Sequence, residues 1–355
     1  MAHKKLYIPG PVEVAPEILA AMGSPMIGHR DKLFVDLYTR VMPKLKQALY
    51  TQGKVFLSTS SASGVMEGAV RNGVAKRVLS CISGAFSERW YEIALANGKD
   101  ADPYAVEWGQ ANLPEELDKR LATGKYDAVT WVHNETSTGV MGDFAAMSRV
   151  MRKYPDVLFL VDTVSSMMGV KLDIDALMPD VCLAGVQKAF AIPPGLTVFT
   201  VSEKALAKAR TVAHRGSYFD FVKFAEFDAK GQTPETPSIS HIYALDKQMD
   251  RMLAEGLEAR WARHLEMART CRNWARERFG LFAAPGCESV TLTAVKNTRA
   301  IDVAKLIKDL SDKHDVTLGN GYGKLKDKTF RIAHMGETTV AELKTLLTWI
   351  DDLTA

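Results

Sequence analysis

Between Gly53 and Phe199 the chain alternates short apolar runs with longer stretches whose apolar residues recur every three or four positions. The runs are KVFLST (54–59), RVLSCIS (77–83), DAVTWVH (127–133), VLFLVD (157–162), DVCLAGV (180–186) and LTVFTVS (196–202). Most are apolar on both faces, as strands covered on each side by helices must be. Strands alternating with amphipathic helices form βαβ units, so the pattern predicts an α/β fold around a mostly parallel sheet. Each run is followed by polar residues or glycine, and ligands in such sheets bind beyond the carboxyl ends of the strands.

From Ser238 to Phe279 the spacing becomes helical and closes on Gly280, with an expected break near Gly256. A strand (289–295), a helix (301–313), a second strand (329–335) and a last helix (338–353) follow, which predicts a small α+β domain. There are no internal repeats or low-complexity segments.

Composition narrows the possibilities. The 355 residues, 47% hydrophobic and 25% charged, suffice for one large core and a smaller one. With 45 basic and 42 acidic residues, the formal charge of +3 gives no reason to expect a nucleic-acid or membrane surface. Cys81, Cys182, Cys271 and Cys287 lie far apart, without a CxxC pair or a zinc-like His/Cys cluster, so no metal is expected and a reducing cytoplasm fits. The start, MAHKKLYIPGPVEV, is basic but has no apolar segment of the kind that directs export, and nowhere do about 18 apolar residues run uninterrupted. The protein is expected to stay where it is made.

The strand ends carry SSASG (60–64), SGAFSE (83–88), HNETSTG (133–139), DTVSS (162–166) and QKAF (187–190). Together they offer hydroxyls, an aromatic ring, a carboxylate and an amine, the set that pyridoxal phosphate needs. Lys188 is the candidate Schiff-base amine, since a lysine desolvated at a strand end becomes nucleophilic near neutral pH; taken alone, a lysine reaching out to the surface fits as well. Asp162 is the candidate partner of the pyridine nitrogen, or simply a helix cap. The SSASG turn opens a helix, where backbone N–H groups and the helix dipole favour a phosphate, although an ordinary capping turn reads the same. It lacks the glycines and lysine of the nucleotide-binding loops. Phe86 is a stacking candidate or a core residue. Arg331 is a clamp for a substrate carboxylate, or a charge on the outer face of an edge strand.

In this order the residues resemble the class V aminotransferases among the fold-type I pyridoxal phosphate enzymes, especially the alanine/serine–glyoxylate group. The resemblance runs through IPGPVEVAPEILAAMGSPMIGHR (8–30), STSSASGVMEGAV, HNETSTGV, FLVDTVSSMMGV, GVQKAFAIPPGL, TPETPSISHIYAL (233–245) and FRIAHMG. Its specific part is the spacing from Asp162 to Lys188 together with the double proline behind it. It implies a segment of residues 1–20 packed on the small domain, a large cofactor-binding domain (21–255) and a small C-terminal domain (256–355). It further implies Lys188 as the Schiff-base lysine, Asp162 as the pyridinium partner, Phe86 and Val164 against the ring, and Thr136 beside the ring hydroxyl. Ser61, Ala62, Ser63 and Gln187 would surround the phosphate, with Thr236 reaching it from the second subunit of a homodimer. Arg331 would take the substrate α-carboxylate. SSASG stands where the family more often has SGSG, and SMMGV where it has S-x-G-G.

The activity so implied is transamination from an alanine- or serine-type donor to glyoxylate or pyruvate. A phosphoserine aminotransferase would need further cations, for which His29, Arg30, His214 and Arg215 are available. A cysteine desulfurase would need a reactive thiol, and Cys287 is the only candidate. A silent subunit of the same fold would have no use for both Lys188 and Asp162.

Overall fold

Each of the six apolar runs becomes a strand, shortened by one residue at one or both ends. The computed structural model describes residues 3–355; Met1 and Ala2, the start of the expected N-terminal segment, lie outside the described residues. In chain order the strands are β1 (Lys5–Tyr7), β2 (Lys54–Ser58), β3 (Arg77–Ile82), β4 (Asp100–Ala105), β5 (Ala128–Val132), β6 (Asn134–Glu135), β7 (Val140–Met141), β8 (Leu158–Asp162), β9 (Val181–Gly185), β10 (Thr197–Val201), β11 (Leu292–Lys296), β12 (Val316–Asn320) and β13 (Thr329–Ala333).

Seven of them form one sheet in the order β2-β10-β9-β8-β5-β3-β4. It is mostly parallel, with β10 alone antiparallel to both its neighbours. The double-sided apolar pattern has a direct cause in β8. Phe159 and Val161 pack with Phe34 and Val41 of the helix Lys32–Ala48 on one face. Leu158 and Leu160 pack with Val65 and Ala69 of the helix Ala62–Gly73 on the other. Side chains alternate along a strand, so a strand covered twice has no position left for a polar residue. Each of these residues except Ala69 contributes about 1.5–3 kcal/mol by burial.

Edge strand β4, sequence DADPYA, escaped the apolar pattern because only one of its sides is paired. Its acidic residues are held instead by Arg77, which meets Asp100 at 3.2 Å and Asp102 at 2.9 Å.

The second sheet has the order β1-β12-β13-β11, with β1 parallel to β12 and the other pairs antiparallel. The chain start therefore joins the chain end around a separate core that includes Tyr7, Leu310, Phe330, Ile332, Leu343 and Ile350. Neither β1 nor β12 was expected from the sequence, and the strand expected at 289–295 begins at Leu292.

The helices Ile239–Glu255 and Leu257–Arg278 break at Gly256, as the spacing predicts, where φ of +86° suits glycine. The break lets Arg260, 1% exposed, reach back to the large sheet. Its guanidinium donates to the Ala189 carbonyl at 2.7 Å and to Glu255 at 2.7 Å, and its own carbonyl is 2.8 Å from His264 Nδ1. Among the described residues no helix is long and apolar enough to cross a membrane, and no group of three or more His, Cys, Asp or Glu side chains is placed to hold a metal.

Arg260→Met leaves the Ala189 carbonyl and Glu255 without their buried donor. We expect urea unfolding to report a loss of roughly 3 kcal/mol.

Candidate functional site

Where β2, β3, β5, β8 and β9 end, the large sheet faces β12 and β13 across a cleft of about 700 Å³. Lys188 enters it three residues after β9, with only 8% of its surface exposed. Its Nζ donates to the carbonyl of Pro9, in the chain that follows β1. Burial, helped by the nearby Arg331 charge and opposed by Asp162, lowers its pKa from 10.5 to about 8. Gly10 makes room for it. A Cβ there would lie 2.6 Å from Lys188 Cδ, and φ of +98° is itself a glycine conformation.

Asp162, the last residue of β8, is 4% exposed and lines the same cleft. Its Oδ1 accepts the Val164 N–H at 2.6 Å, so the side chain makes a local turn rather than capping a helix. Burial first, and then the Glu135 charge, raise its pKa to about 7, against the lowering effects of the Val164 N–H, Lys188 and Arg89. Oδ2 accepts no hydrogen bond among the described residues.

Ser61 precedes the helix Ala62–Gly73 in extended conformation, and its hydroxyl does not cap the helix. Ser61, Ala62, Ser63 and Gln187 line the cleft where this helix starts, and the Gly64 N–H already donates to the Ser61 carbonyl at 3.0 Å. Phe86 lines the cleft from the first turn of the helix Ala85–Ala96. That turn is held by the fully buried Glu135, whose carboxylate accepts from Phe86 N at 3.2 Å, Ser87 N at 2.9 Å and Ser87 Oγ at 2.9 Å.

Thr136 shares a hydrogen bond with Ser165 through its hydroxyl. Beside it Asn134 donates to the Ser165 carbonyl and to Thr291 Oγ1, both at 2.9 Å, while its Oδ1 is buried without a partner. Val164 borders the cleft as well. Arg331 corrects one expectation: β13 is an interior strand, not an edge, and Arg331 turns into the cleft. Its Nε donates to the Asn320 carbonyl at 2.9 Å and one Nη to the Thr136 carbonyl at 3.3 Å.

The unusual SMMGV segment is accommodated by backbone conformation. Met168 is buried at φ +67°, a region normally left to glycine, and Gly169 packs where a Cβ would be 2.4 Å from Thr291.

Other candidates lie outside the cleft of their own chain. Arg30 is exposed, and its guanidinium donates to the carbonyls of Thr233 (2.7 Å) and Pro234 (2.9 Å). Half-buried His29 precedes it and does not border the cleft either. Arg215 pairs with Asp220 at 2.8 Å, and the His214 carbonyl accepts from Arg71. Thr236 is exposed on the loop after Pro234. Cys287 is a partly buried thiol beside the Ala284 carbonyl at 3.2 Å, its pKa raised by burial, and does not border the cleft.

Sequence reasoning missed Pro9, Gly10, Asn134, Arg89 and Tyr322, all of which border the cleft. Arg89 carried a usable signal, since it stands three residues after Phe86 and so shares its helical face. Tyr322 carried none, because it follows a strand that the pattern did not reveal.

Residues 75–313 match the family described as aminotransferase class-V. An uncharacterised aminotransferase of Methanocaldococcus jannaschii is 40% identical over 342 residues, covering 94% of this chain and 88% of that protein. A serine–glyoxylate aminotransferase of Methylorubrum extorquens is 32% identical over 348 residues, 94% of this chain and 86% of that one. Among solved structures, an alanine–glyoxylate aminotransferase from a Nostoc species superposes with a TM-score of 0.93 at 26% identity, covering 100% of this chain and 96% of that one.

Acylation of Lys188 in ligand-free protein, followed by mass spectrometry against pH, should show a midpoint near 8. Asp162→Asn should move the midpoint down and Arg331→Gln should move it up, because those neighbours act on the amine in opposite directions. The lowered value also fixes a sign for stability. The unfolded chain binds the extra proton between pH 8 and 10.5, so the contribution of Lys188 is full above 10.5 and is lost as pH falls through 8.

Proposed function

This chain belongs to the class-V aminotransferase family, and we propose that it uses pyridoxal 5′-phosphate to move the amino group of an alanine- or serine-type donor to a 2-oxo acid such as glyoxylate or pyruvate. The observation that carries the reading is the burial of Lys188 and Asp162 in one cleft at the strand ends, with the amine's pKa lowered to about 8. The relatives named for alanine or serine and glyoxylate support the choice of donor and acceptor.

The side chains fit the cofactor. Asp162 offers the cleft a carboxylate oxygen without a hydrogen bond among the described residues, and the helix start at Ser61–Ala62–Ser63, with Gln187, suits a phosphate. Lys188 would hold the carbonyl carbon, Phe86 and Val164 would flank the ring, and Thr136 would stand beside its hydroxyl. Thr236 of a second copy would complete the phosphate site, which accounts for its exposure here and makes the working unit a homodimer. The four free thiols support a reducing, cytoplasmic setting.

When bound, the cofactor supplies an electron sink for the pair left at the substrate α-carbon. The residues do the rest. Arg331 holds the α-carboxylate in a bidentate grip and so orients the Cα–H bond. Lys188, its affinity for a proton lowered by its surroundings, would take the proton from the donor's Cα and hand it to the cofactor carbon that the lysine itself had held. Asp162 would hold the ring nitrogen in its protonated form, and the positive charge gained there would in turn favour the Asp162 carboxylate that burial otherwise disfavours.

Purified protein with alanine or serine and glyoxylate should form glycine and the matching keto acid. Lys188→Ala should lower the rate by about 10²–10⁴-fold. Failure of amino transfer with every small donor and acceptor overturns the reading. Sedimentation should report a dimer, and a fully active monomer would contradict the role given to Thr236.

A further inference from the structure

Four charged residues border the cleft: Arg89, Asp162, Lys188 and Arg331. Asp162 and Lys188 are accounted for by the chemistry, and Arg331 by the substrate α-carboxylate. Arg89 has no assigned task.

Its surroundings describe a site. One Nη of Arg89 donates to the Tyr322 hydroxyl at 3.0 Å, and that neutral oxygen is its one side-chain partner among the described residues. Arg89 Cζ lies 5.0 Å from the centre of the Phe86 ring, the Phe86 and Tyr322 ring centres are 5.2 Å apart, and Arg331 Cζ is 5.5 Å from the Tyr322 ring. Two guanidinium groups therefore bracket a pair of aromatic rings where the helix Ala85–Ala96 meets the loop after β12. Neither is paired with a carboxylate among the described residues.

A guanidinium partly withdrawn from water, stacked on an aromatic face and still holding free N–H groups, is a strong and geometrically selective ligand for a carboxylate. The α-carboxylate neutralises one arginine and leaves the other. We propose that Arg89 and the Tyr322 hydroxyl form a second carboxylate site, so that the cleft takes dicarboxylic amino donors, the distal carboxylate on Arg89 and the α-carboxylate on Arg331. The inference rests on the preceding reading, from which it takes Arg331 as the α-carboxylate ligand. It changes the donor class and not the reaction: one amino group still passes from an amino acid to a 2-oxo acid.

The alternative role for Arg89 is mechanical, since its bond to Tyr322 ties the helix Ala85–Ala96 to the loop after β12. The two roles differ in what they do to specificity. Loss of a tie lowers turnover of all donors together, whereas loss of a charge site penalises the donors that carry the second charge.

The test has two arms. In the first, kcat/KM with glyoxylate as acceptor is measured for aspartate, glutamate and alanine in the wild type, Arg89→Gln and Arg89→Lys. The expected result is that one of the dicarboxylic donors exceeds alanine in the wild type. Its ratio to alanine should fall about 100-fold in Arg89→Gln, and less in Arg89→Lys. In the second, calorimetry follows succinate and propionate binding to the cofactor-loaded protein, with succinate expected to bind at least about tenfold more tightly and to lose that advantage in Arg89→Gln. An unchanged donor ratio, or equal binding of succinate and propionate in the wild type, overturns the inference. Absence of turnover with every donor counts against the transaminase reading instead, and the binding arm still decides this one.

Discussion

An ammonium group shut away from water is costly, and the placement of Lys188 organises the residues around it. Its neighbours come from distant parts of the chain: the Pro9 carbonyl accepts from the amine, Gly10 leaves space along its stem, and Asp162 faces it as a counter-charge. Arg260 then holds the carbonyl of the next residue, Ala189, from a helix that belongs to the second half of the molecule. The result is an amine that releases its proton near pH 8, well below the usual lysine range, an effect obtained by burial more than by any one partner.

The architecture follows from bringing those pieces together. Parallel strands all deliver their carboxyl ends to one edge of the large sheet, which gathers Asp162, Lys188, Thr136 and the Ser61 turn. The small sheet, closed by β1 from the chain start, supplies the facing wall with Tyr322 and Arg331. Thus each wall has its own core, the large-sheet side bringing Asp162, Lys188, Phe86 and Arg89 to the cleft and the small-sheet side Tyr322 and Arg331.

What was legible in the sequence follows the same division. The double-sided apolar runs revealed the interior strands because burial on both faces leaves a strong local mark, and the turns behind them exposed Lys188, Asp162, Phe86 and the Ser61 turn. Strands β1 and β4 were hidden, since short or edge strands such as DADPYA need no continuous apolar run, and β12, although interior, was hidden because VTLGN carries only Val316 and Leu318 as large apolar residues. With β12 hidden, Tyr322 could not be placed. Arg331 was visible as a residue, but whether it stood on an edge or in the interior of a sheet depended on pairing with strands far away in sequence. Arg30 and Arg215 show the opposite limit: a basic segment reads as a possible anion site until the carbonyls of Thr233 and Pro234, or the carboxylate of Asp220, are found occupying it.

The measurement that bears most directly on the central claim is borohydride reduction of the protein loaded with pyridoxal phosphate, followed by peptide mapping. The account requires the reduced pyridoxyl group on Lys188, within the segment that follows β9. Attachment to another lysine, or no stable attachment at all, would contradict it.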